Sequence, residues 1–299
     1  GIVRDGLDPG LRVWVEYSNE VWNWQFRQAH WAEAQGLARW GQEGTWLQFY
    51  GTRAAEVMGV FAAELGDPAR MVRVVATQTG AKGMEEPILT APLAVAEGLP
   101  PPADSFDAYA VTGYFSGLLG ADGKIPAVKG WIAESLAAAE AGAAAQGLTE
   151  DGAAAYVAAH RYDLAIERAV AELRDGSSTG AGEDTLQQVL GDVLPYQAAV
   201  AARHGLKLAM YEGGTHVVGY GPAVDDAELE AFFTALNYSD GMGGLYADLL
   251  AGWAGLTDQP FTAFVDVYRP NKWGSWGALR HLWDDNPRWA ALAKGCKEC

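Results

Sequence analysis

Basic residues are scarce in this chain, which carries 21 lysines and arginines against 38 aspartates and glutamates over 299 residues. The formal net charge of -17 at pH 7 repels a phosphate backbone and an anionic membrane surface. We therefore expect neither nucleic acid nor a membrane as a partner. A neutral substrate suits this charge better.

Cysteine is scarcer still. Cys296 and Cys299 form one C-x-x-C, with no second pair and no nearby histidine to complete a zinc site. We interpret the pair as a dithiol without a catalytic role. Neither an H-x-x-x-H pattern nor a dense group of aspartates and histidines occurs, which disfavours a metal-dependent hydrolase. The sequence therefore predicts no metal and no cofactor.

Long apolar runs are also missing, since no run approaches the ~20 residues of a membrane-spanning helix. Apolar residues are nevertheless abundant, at 49% of the chain, which is enough for a large buried core. Length and composition together fit one large α/β domain.

Apolar runs typical of strands recur along the chain and alternate with helical patterns. The strands are predicted at residues 13 to 17, 71 to 80, 106 to 117, 206 to 214 and 261 to 268. Gly41 and Gly44 are predicted to divide the first helical region into two helices. The alternation predicts a parallel sheet with helices packed outside it.

One connection is far longer than a strand-to-helix loop requires. It runs for about 90 residues from Tyr114 to the strand that begins at Leu206. Most of this interval is rich in alanine and helical in pattern. We expect a helical insertion over residues 117 to 182, although an enlarged outer layer of helices would fit the same pattern.

Polar side chains follow the predicted strands at the points where they end. In a (β/α)8 barrel these points share one rim, where the loops open to solvent and the chemistry takes place. The rim candidates are Glu20, Gln78, Tyr114, Glu212 and the turn at residues 273 to 276. Two of them are carboxylates, and Gly213 and Gly214 allow the backbone to turn sharply behind Glu212.

Three segments carry a resemblance to a known family. EYSNEVWN, at residues 16 to 23, resembles the acid/base segment of clan A glycoside hydrolases, whose catalytic glutamate follows an asparagine at the end of barrel strand four. YEGGTH, at residues 211 to 216, resembles the strand-seven segment that carries the nucleophile of the same clan. SWGAL, at residues 275 to 279, is similar to the segment with the strand-eight tryptophan.

The resemblance implies an α/β fold of the (β/α)8 TIM-barrel type, in which this chain covers strands 4 to 8 and carries its insertion after strand 6. Residues 1 to 299 would then form a glycoside hydrolase catalytic domain that lacks the amino-terminal strands. We therefore expect an upstream segment or a second chain to complete the barrel. The resemblance also favours a secreted or periplasmic location.

The activity that the resemblance implies is hydrolysis of β-glycosidic bonds in an oligo- or polysaccharide, with retention of configuration. Glu20 would act as the acid/base and Glu212 as the nucleophile. Asn19 would hydrogen-bond the sugar 2-hydroxyl. The other residues expected to contact the carbohydrate are Trp22, Gln78, Tyr114, His216 and Trp276.

Each assignment has a simpler alternative. A glutamate at a strand end often serves only as an ion-pair partner, the Tyr114 hydroxyl can lie in water, and His216 can make an ordinary hydrogen bond in a loop. The Trp276 ring suits a sugar-stacking platform and a core position equally well. The whole chain also suits a non-catalytic carbohydrate-binding protein, in which the two glutamates only hydrogen-bond a glycan.

Overall fold

The structure is a computed structural model that describes residues 1 to 18 and 20 to 295. Asn19, Cys296 and Cys299 lie outside the described residues, and so do the predictions made for them. The chain divides into two compact units. Unit 1 comprises Gly1–Thr112, Val193–Tyr211 and Thr257–Phe261, and unit 2 comprises Gly113–Asp192, Glu212–Leu256 and Thr262–Cys299.

Four parallel strands form a sheet among the described residues, in the order β1-β2-β3-β4. They are β1 (Val13–Glu16), β2 (Met71–Ala76), β3 (Ala108–Phe115) and β4 (Lys207–Thr215). Val13 of β1 lies opposite Met71, and Val74 of β2 lies opposite Ala108. β2 is buried along almost its whole length, as is typical of a parallel strand with both faces covered. The first four predicted strands are confirmed.

The helices of unit 1 are α1 (Ile2–Gly6), α2 (Arg27–Trp40), α3 (Trp46–Leu65), α4 (Glu85–Thr90), α5 (Pro92–Ala96) and α10 (Leu194–Arg203). Gly41 ends α2 in a left-handed conformation with a φ of 66°, and α3 begins at Trp46. This confirms the predicted division of the first helical region at Gly41 and Gly44. Apolar side chains of α3, including Leu47 and Met58, are buried in the core of the unit.

The helices of unit 2 are α6 (Ile125–Ala145), α7 (Glu150–His160), α8 (Asp163–Asp175), α9 (Leu186–Gln188), α11 (Ala227–Asn237), α12 (Asp240–Leu256) and α13 (Pro287–Gly295). The Ala-rich interval contains α6, α7 and α8, and it buries Trp131, Ile132 and Leu173. The role of this interval as an insertion stays a prediction. No helix within the described ranges is both long enough and apolar enough to cross a bilayer.

A buried ion pair joins the start of α6 to α8. Lys124 Nζ donates to the Glu172 carboxylate, which also accepts hydrogen bonds from Thr179 N at 2.9 Å and Thr179 Oγ1 at 2.6 Å. Lys124 Nζ reaches the Ala181 carbonyl as well, at 3.2 Å. Glu172 is fully buried, so loss of Lys124 would leave an uncompensated charge in the core. The pair thereby holds the loop at residues 176 to 182 against α8.

The fold class predicted from the sequence is wrong. A (β/α)8 barrel covering strands 4 to 8 needs five strands in this chain, whereas the described residues form four. Residues 261 to 268 make one isolated parallel bridge to β4, between Gly213 and Ala263. Further backbone hydrogen bonds go to residues 276 to 279 instead, such as Val265 N to Trp276 O at 2.9 Å. None of the eight residues is fully buried, so this apolar run does not supply the buried strand that a barrel requires.

Helices α3 and α4 approach each other closely at a glycine. A Cβ on Gly51 would lie 1.9 Å from the Ile88 carbonyl oxygen, whereas a Cβ on Gly59 of the same helix would meet nothing within 4 Å. We predict that Gly51→Ala lowers the free energy of unfolding by about 1–3 kcal/mol, because the helices must move apart. Gly59→Ala should raise it by about 0.5–1 kcal/mol, because alanine favours the helix.

Urea denaturation followed by circular dichroism measures both variants against the parent protein. Each changes one glycine of α3 to alanine, so they share the change in helix propensity and differ only in the contact with Ile88. Equal shifts in the two urea midpoints would contradict the close approach.

Candidate functional site

Three of the residues expected to contact the carbohydrate lie together in unit 2. The Tyr114 ring centroid is 5.8 Å from that of His216 and 6.2 Å from that of Trp276, and the His216 and Trp276 centroids are 5.3 Å apart. We call these three residues the ring cluster. All three side chains are half-buried, so the cluster has a solvent-accessible side. Phe264 extends it, with its ring centroid 5.7 Å from that of Trp276.

Glu212 lies on β4, the strand that leads into the ring cluster. Gly214 lies between Glu212 and His216 in the chain, one residue before the end of β4. Gly214 has a φ of 140°, and a Cβ there would lie 2.5 Å from the Tyr246 hydroxyl. Glycine is therefore required between the carboxylate and the histidine. Glu212 itself is half-buried.

A tight turn at residues 271 to 274 places the Trp276 ring. Asn271 and Gly274 pair across the turn, and Trp276 Nε1 donates to the Trp273 carbonyl at 3.1 Å. Gly274 has a φ of 139°, and a Cβ there would lie 2.7 Å from the indole nitrogen. The indole can lie back across the turn only because position 274 is glycine.

A buried guanidinium binds the backbone on both sides of Trp276. Arg288 is 1% exposed, its Nη1 donates to the Ser275 carbonyl at 2.9 Å, and its Nη2 donates to the Gly277 carbonyl. The guanidinium carbon also lies 4.5 Å from the centroid of the Tyr238 ring. Ser275 and Gly277 flank the tryptophan, so Arg288 fixes the backbone that carries the indole.

The His216 imidazole is held at its backbone and at its ring. His216 N donates to the Phe115 carbonyl at 2.9 Å, and its Nδ1 lies 3.0 Å from the Tyr220 hydroxyl. The two rings stack, with centroids 5.9 Å apart. Burial lowers the pKa of His216 from its ordinary 6.5, against the opposing charge of Asp184. The imidazole is therefore neutral at pH 7.

Ser116 and Asp184 form a polar pair beside the ring cluster. Ser116 is buried and its Oγ donates to the Asp184 carboxylate, while Ser116 N and Gly117 N donate to the Asp184 carbonyl at 3.0 and 2.8 Å. Burial raises the pKa of Asp184, whereas the hydrogen bond from Ser116 and the charge of Lys124 oppose the rise. These hydrogen bonds hold the loop that contains Asp184 against the end of β3.

The sequence analysis missed Ser116, Asp184 and Tyr220. Ser116 comes two residues after Tyr114, and Tyr220 comes four residues after His216, so a search extended past the strand ends would have found both. Asp184 gives no such signal, because it lies in a glycine-rich loop far from any predicted strand.

Unit 1 carries the other predicted catalytic residue, Glu20. It follows β1 in a turn, with a φ of 44° that is uncommon for any residue but glycine. Asn23 Nδ2 donates to Glu20 Oε2 at 2.8 Å, and Asn23 N donates to the Glu20 carbonyl at 2.8 Å. The turn and Asn23 together hold the carboxylate in a defined place. Asn19, the predicted partner of the sugar 2-hydroxyl, lies outside the described residues.

Trp22 and Gln78 also belong to unit 1. Trp22 is 6% exposed, and its ring centroid lies 6.2 Å from that of Tyr50 and 6.4 Å from that of Tyr211, as in a core position. Gln78 is exposed after β2, where its carbonyl accepts a hydrogen bond from Ala81 N at 3.2 Å. Their roles in carbohydrate binding stay predictions.

Residues 1 to 18 and 20 to 295 contain no group of three histidines, cysteines, aspartates or glutamates placed to hold a metal ion. Comparison of the chain with known protein families, curated proteins and solved structures finds no match.

The burial of His216 predicts a pH dependence of stability. Because its pKa is lowered in the folded state, the folded protein binds this proton less readily than the unfolded chain. The stabilisation is fully present above about pH 6.5 and is lost as the pH falls through the folded-state pKa. We predict that His216→Gln flattens the decline in unfolding free energy below pH 6.5.

Urea denaturation between pH 8 and the acid limit of solubility measures this slope. His281→Gln is the matched control, because it removes an exposed histidine of the same unit. The decline should be flatter in His216→Gln than in this control. An unchanged slope in His216→Gln would show that His216 titrates alike in the folded and unfolded states.

Proposed function

We propose that the protein hydrolyses β-glycosidic bonds of an oligo- or polysaccharide with retention of configuration. The observation that supports this most directly is the ring cluster at the end of the strand that carries Glu212. Its half-exposed rings combine apolar faces with polar tips, which suits a sugar ring and its hydroxyl groups. The charge of -17 also favours a neutral ligand.

Glu212 is the nucleophile of the proposed reaction. Its ionised carboxylate attacks the anomeric carbon, the bond to the leaving oxygen breaks, and a covalent glycosyl-enzyme forms. Water then attacks the same carbon and releases the sugar with its original configuration. Gly213 and Gly214 follow Glu212 directly in the chain.

Glu20 is the acid/base of the proposed reaction. It protonates the leaving oxygen in the first step and accepts a proton from the attacking water in the second. The support for this role is the EYSNEVWN resemblance together with the turn in which Asn23 holds the Glu20 carboxylate. Either finding alone would fit an ordinary structural glutamate.

A second candidate is a carbohydrate-binding protein without hydrolytic activity. The observation that favours it is the exposure of further aromatic rings on the segment that carries Trp276. Trp273 is 62% exposed and Phe264 is 40% exposed. Such rings can hold a glycan without any contribution from a carboxylate.

We predict that Glu212→Gln and Glu20→Gln each lower kcat by about 10²–10⁴-fold or more, because each removes a group that reacts in the transition state. The parent protein is first screened on a panel of plant, algal and bacterial polysaccharides, and the variants are assayed on the best substrate. Glu228→Gln in unit 2 and Glu43→Gln in unit 1 are matched controls, because both glutamates are exposed.

Chemical rescue separates the two catalytic roles. Azide should restore turnover of an activated aryl β-glycoside by Glu212→Ala and give an azido sugar of inverted configuration, because azide replaces the missing nucleophile. Parental rates in both amide variants would contradict the proposal. A parent protein that binds a glycan of the panel and hydrolyses none of them would support the second candidate instead.

The ring cluster predicts a separate effect on binding. Trp276→Ala should weaken glycan affinity about tenfold, which corresponds to about 1.4 kcal/mol of lost contact with the sugar face. Titration calorimetry on the Glu212→Gln background measures binding without turnover. Trp283→Ala is the control, because Trp283 is 88% exposed and lies outside the ring cluster. Equal affinity in the Trp276 variant and the control would show that the ring cluster is not part of the binding site.

A further inference from the structure

A hydrogen bond to His216 decides which of its ring nitrogens carries the proton. We propose that Tyr220 is a positioning residue that donates to His216 Nδ1, fixes the Nε2–H form of the imidazole, and so makes His216 a hydrogen-bond donor to a sugar hydroxyl. The last step of this inference rests on the proposed function. The tautomer itself can be measured without any sugar.

Tyr220 is held in place by the backbone around it. Tyr220 N donates to the Gly120 carbonyl at 3.2 Å, and a Cβ on Gly120 would lie 1.7 Å from the Val218 carbonyl oxygen. The segment at residues 217 to 220 therefore lies directly against the backbone at Gly120. His216 is tied to β3 through the Phe115 carbonyl. Both ends of the bond between Tyr220 and His216 are thus anchored.

The Ser116 hydroxyl does not compete with the His216 imidazole for the proton of Tyr220. Ser116 Oγ donates its own hydrogen to the Asp184 carboxylate and accepts a hydrogen bond from Leu118 N at 3.0 Å. A phenol is a good donor, and a neutral imidazole nitrogen is a better acceptor than an alcohol oxygen that is already hydrogen-bonded. The Tyr220 hydroxyl lies 3.0 Å from His216 Nδ1, which is within hydrogen-bond distance.

The protonation states of both rings fit this direction. Burial raises the pKa of Tyr220 and the charge of Asp184 raises it further, so the phenol keeps its proton. Burial lowers the pKa of His216, so its ring carries a single N–H. When Nδ1 accepts a hydrogen bond, that N–H must be at Nε2. A sugar hydroxyl can accept a hydrogen bond from this N–H.

Nitrogen-15 NMR of the imidazole side chains tests the tautomer on the free protein. The chain has five histidines, and the signals that disappear in His216→Gln identify His216. At pH 8 the spectrum should show a protonated Nε2 and an unprotonated Nδ1. In Tyr220→Phe the two shifts should move toward each other, because both tautomers become populated. A proton on Nδ1 in the parent protein, or identical shifts in Tyr220→Phe, would overturn the proposal.

Tyr156→Phe is the matched control for this experiment. Its ring lies 4.3 Å from that of His160, whose Nδ1 pairs with Asp163 rather than with the tyrosine. The control should change neither the His216 shifts nor glycan affinity.

Affinity is then measured for cellotetraose, xylotetraose and laminaritetraose in the Glu212→Gln background. Tyr220→Phe should weaken binding of the tetrasaccharide that binds best by about three- to tenfold, as expected for one weakened hydrogen bond. A changed tautomer with unchanged affinity would overturn the donor role of His216. Failure of the proposed function is recognised separately, because the parent protein would then hydrolyse none of the three sugars while its tautomer could still be read.

Discussion

Much of unit 2 depends on a positive charge buried without a carboxylate partner among the described residues. Moving a guanidinium out of water costs several kcal/mol, so the protein must surround it with other groups. Arg288 finds them in the carbonyls of Ser275 and Gly277 and in the face of the Tyr238 ring. The two carbonyls reach the guanidinium only in one backbone conformation. That conformation fixes the position of Trp276.

The same logic operates elsewhere in unit 2. There the buried pair of Lys124 and Glu172 fixes the loop at residues 176 to 182. The hydrogen bond between Ser116 and Asp184 attaches the chain just after this loop to the end of β3. Polar contacts rather than apolar packing thus determine the arrangement of this part of unit 2. Such contacts are directional, so they specify one geometry more narrowly than an apolar core does.

The sequence predicted the first four strands because each is a short apolar run bounded by turn residues. The prediction of a fifth strand was wrong for a physical reason. Residues 261 to 268 are apolar enough for a core strand, but their partners are residues 276 to 279, and hydrogen-bond partners cannot be read from periodicity. The barrel inferred from the resemblance depended on that strand, so it failed with it.

Reasoning from strand ends and from the resemblance named part of the candidate site, and the roles of those residues stay predictions. It named Tyr114, His216 and Trp276, which lie in contact, although the last two are 60 positions apart in the chain. It could not select Asp184, whose position follows from a hydrogen bond to Ser116 and not from any strand. It also placed Trp22 among the binding residues, whereas the ring of Trp22 is packed against Tyr50. A strand-end rule locates backbone positions and does not tell which way a side chain turns.

The place of Arg288 in the chain has a consequence for synthesis on the ribosome. The turn at residues 271 to 274 and the indole of Trp276 are made before α13, which carries the guanidinium that anchors them. Since the chain is synthesised from its amino end, the aromatic residues of the ring cluster are present before Arg288. A released chain truncated between positions 276 and 288 would therefore carry these rings without the guanidinium that fixes their backbone, and the cluster acquires its final form only when α13 docks.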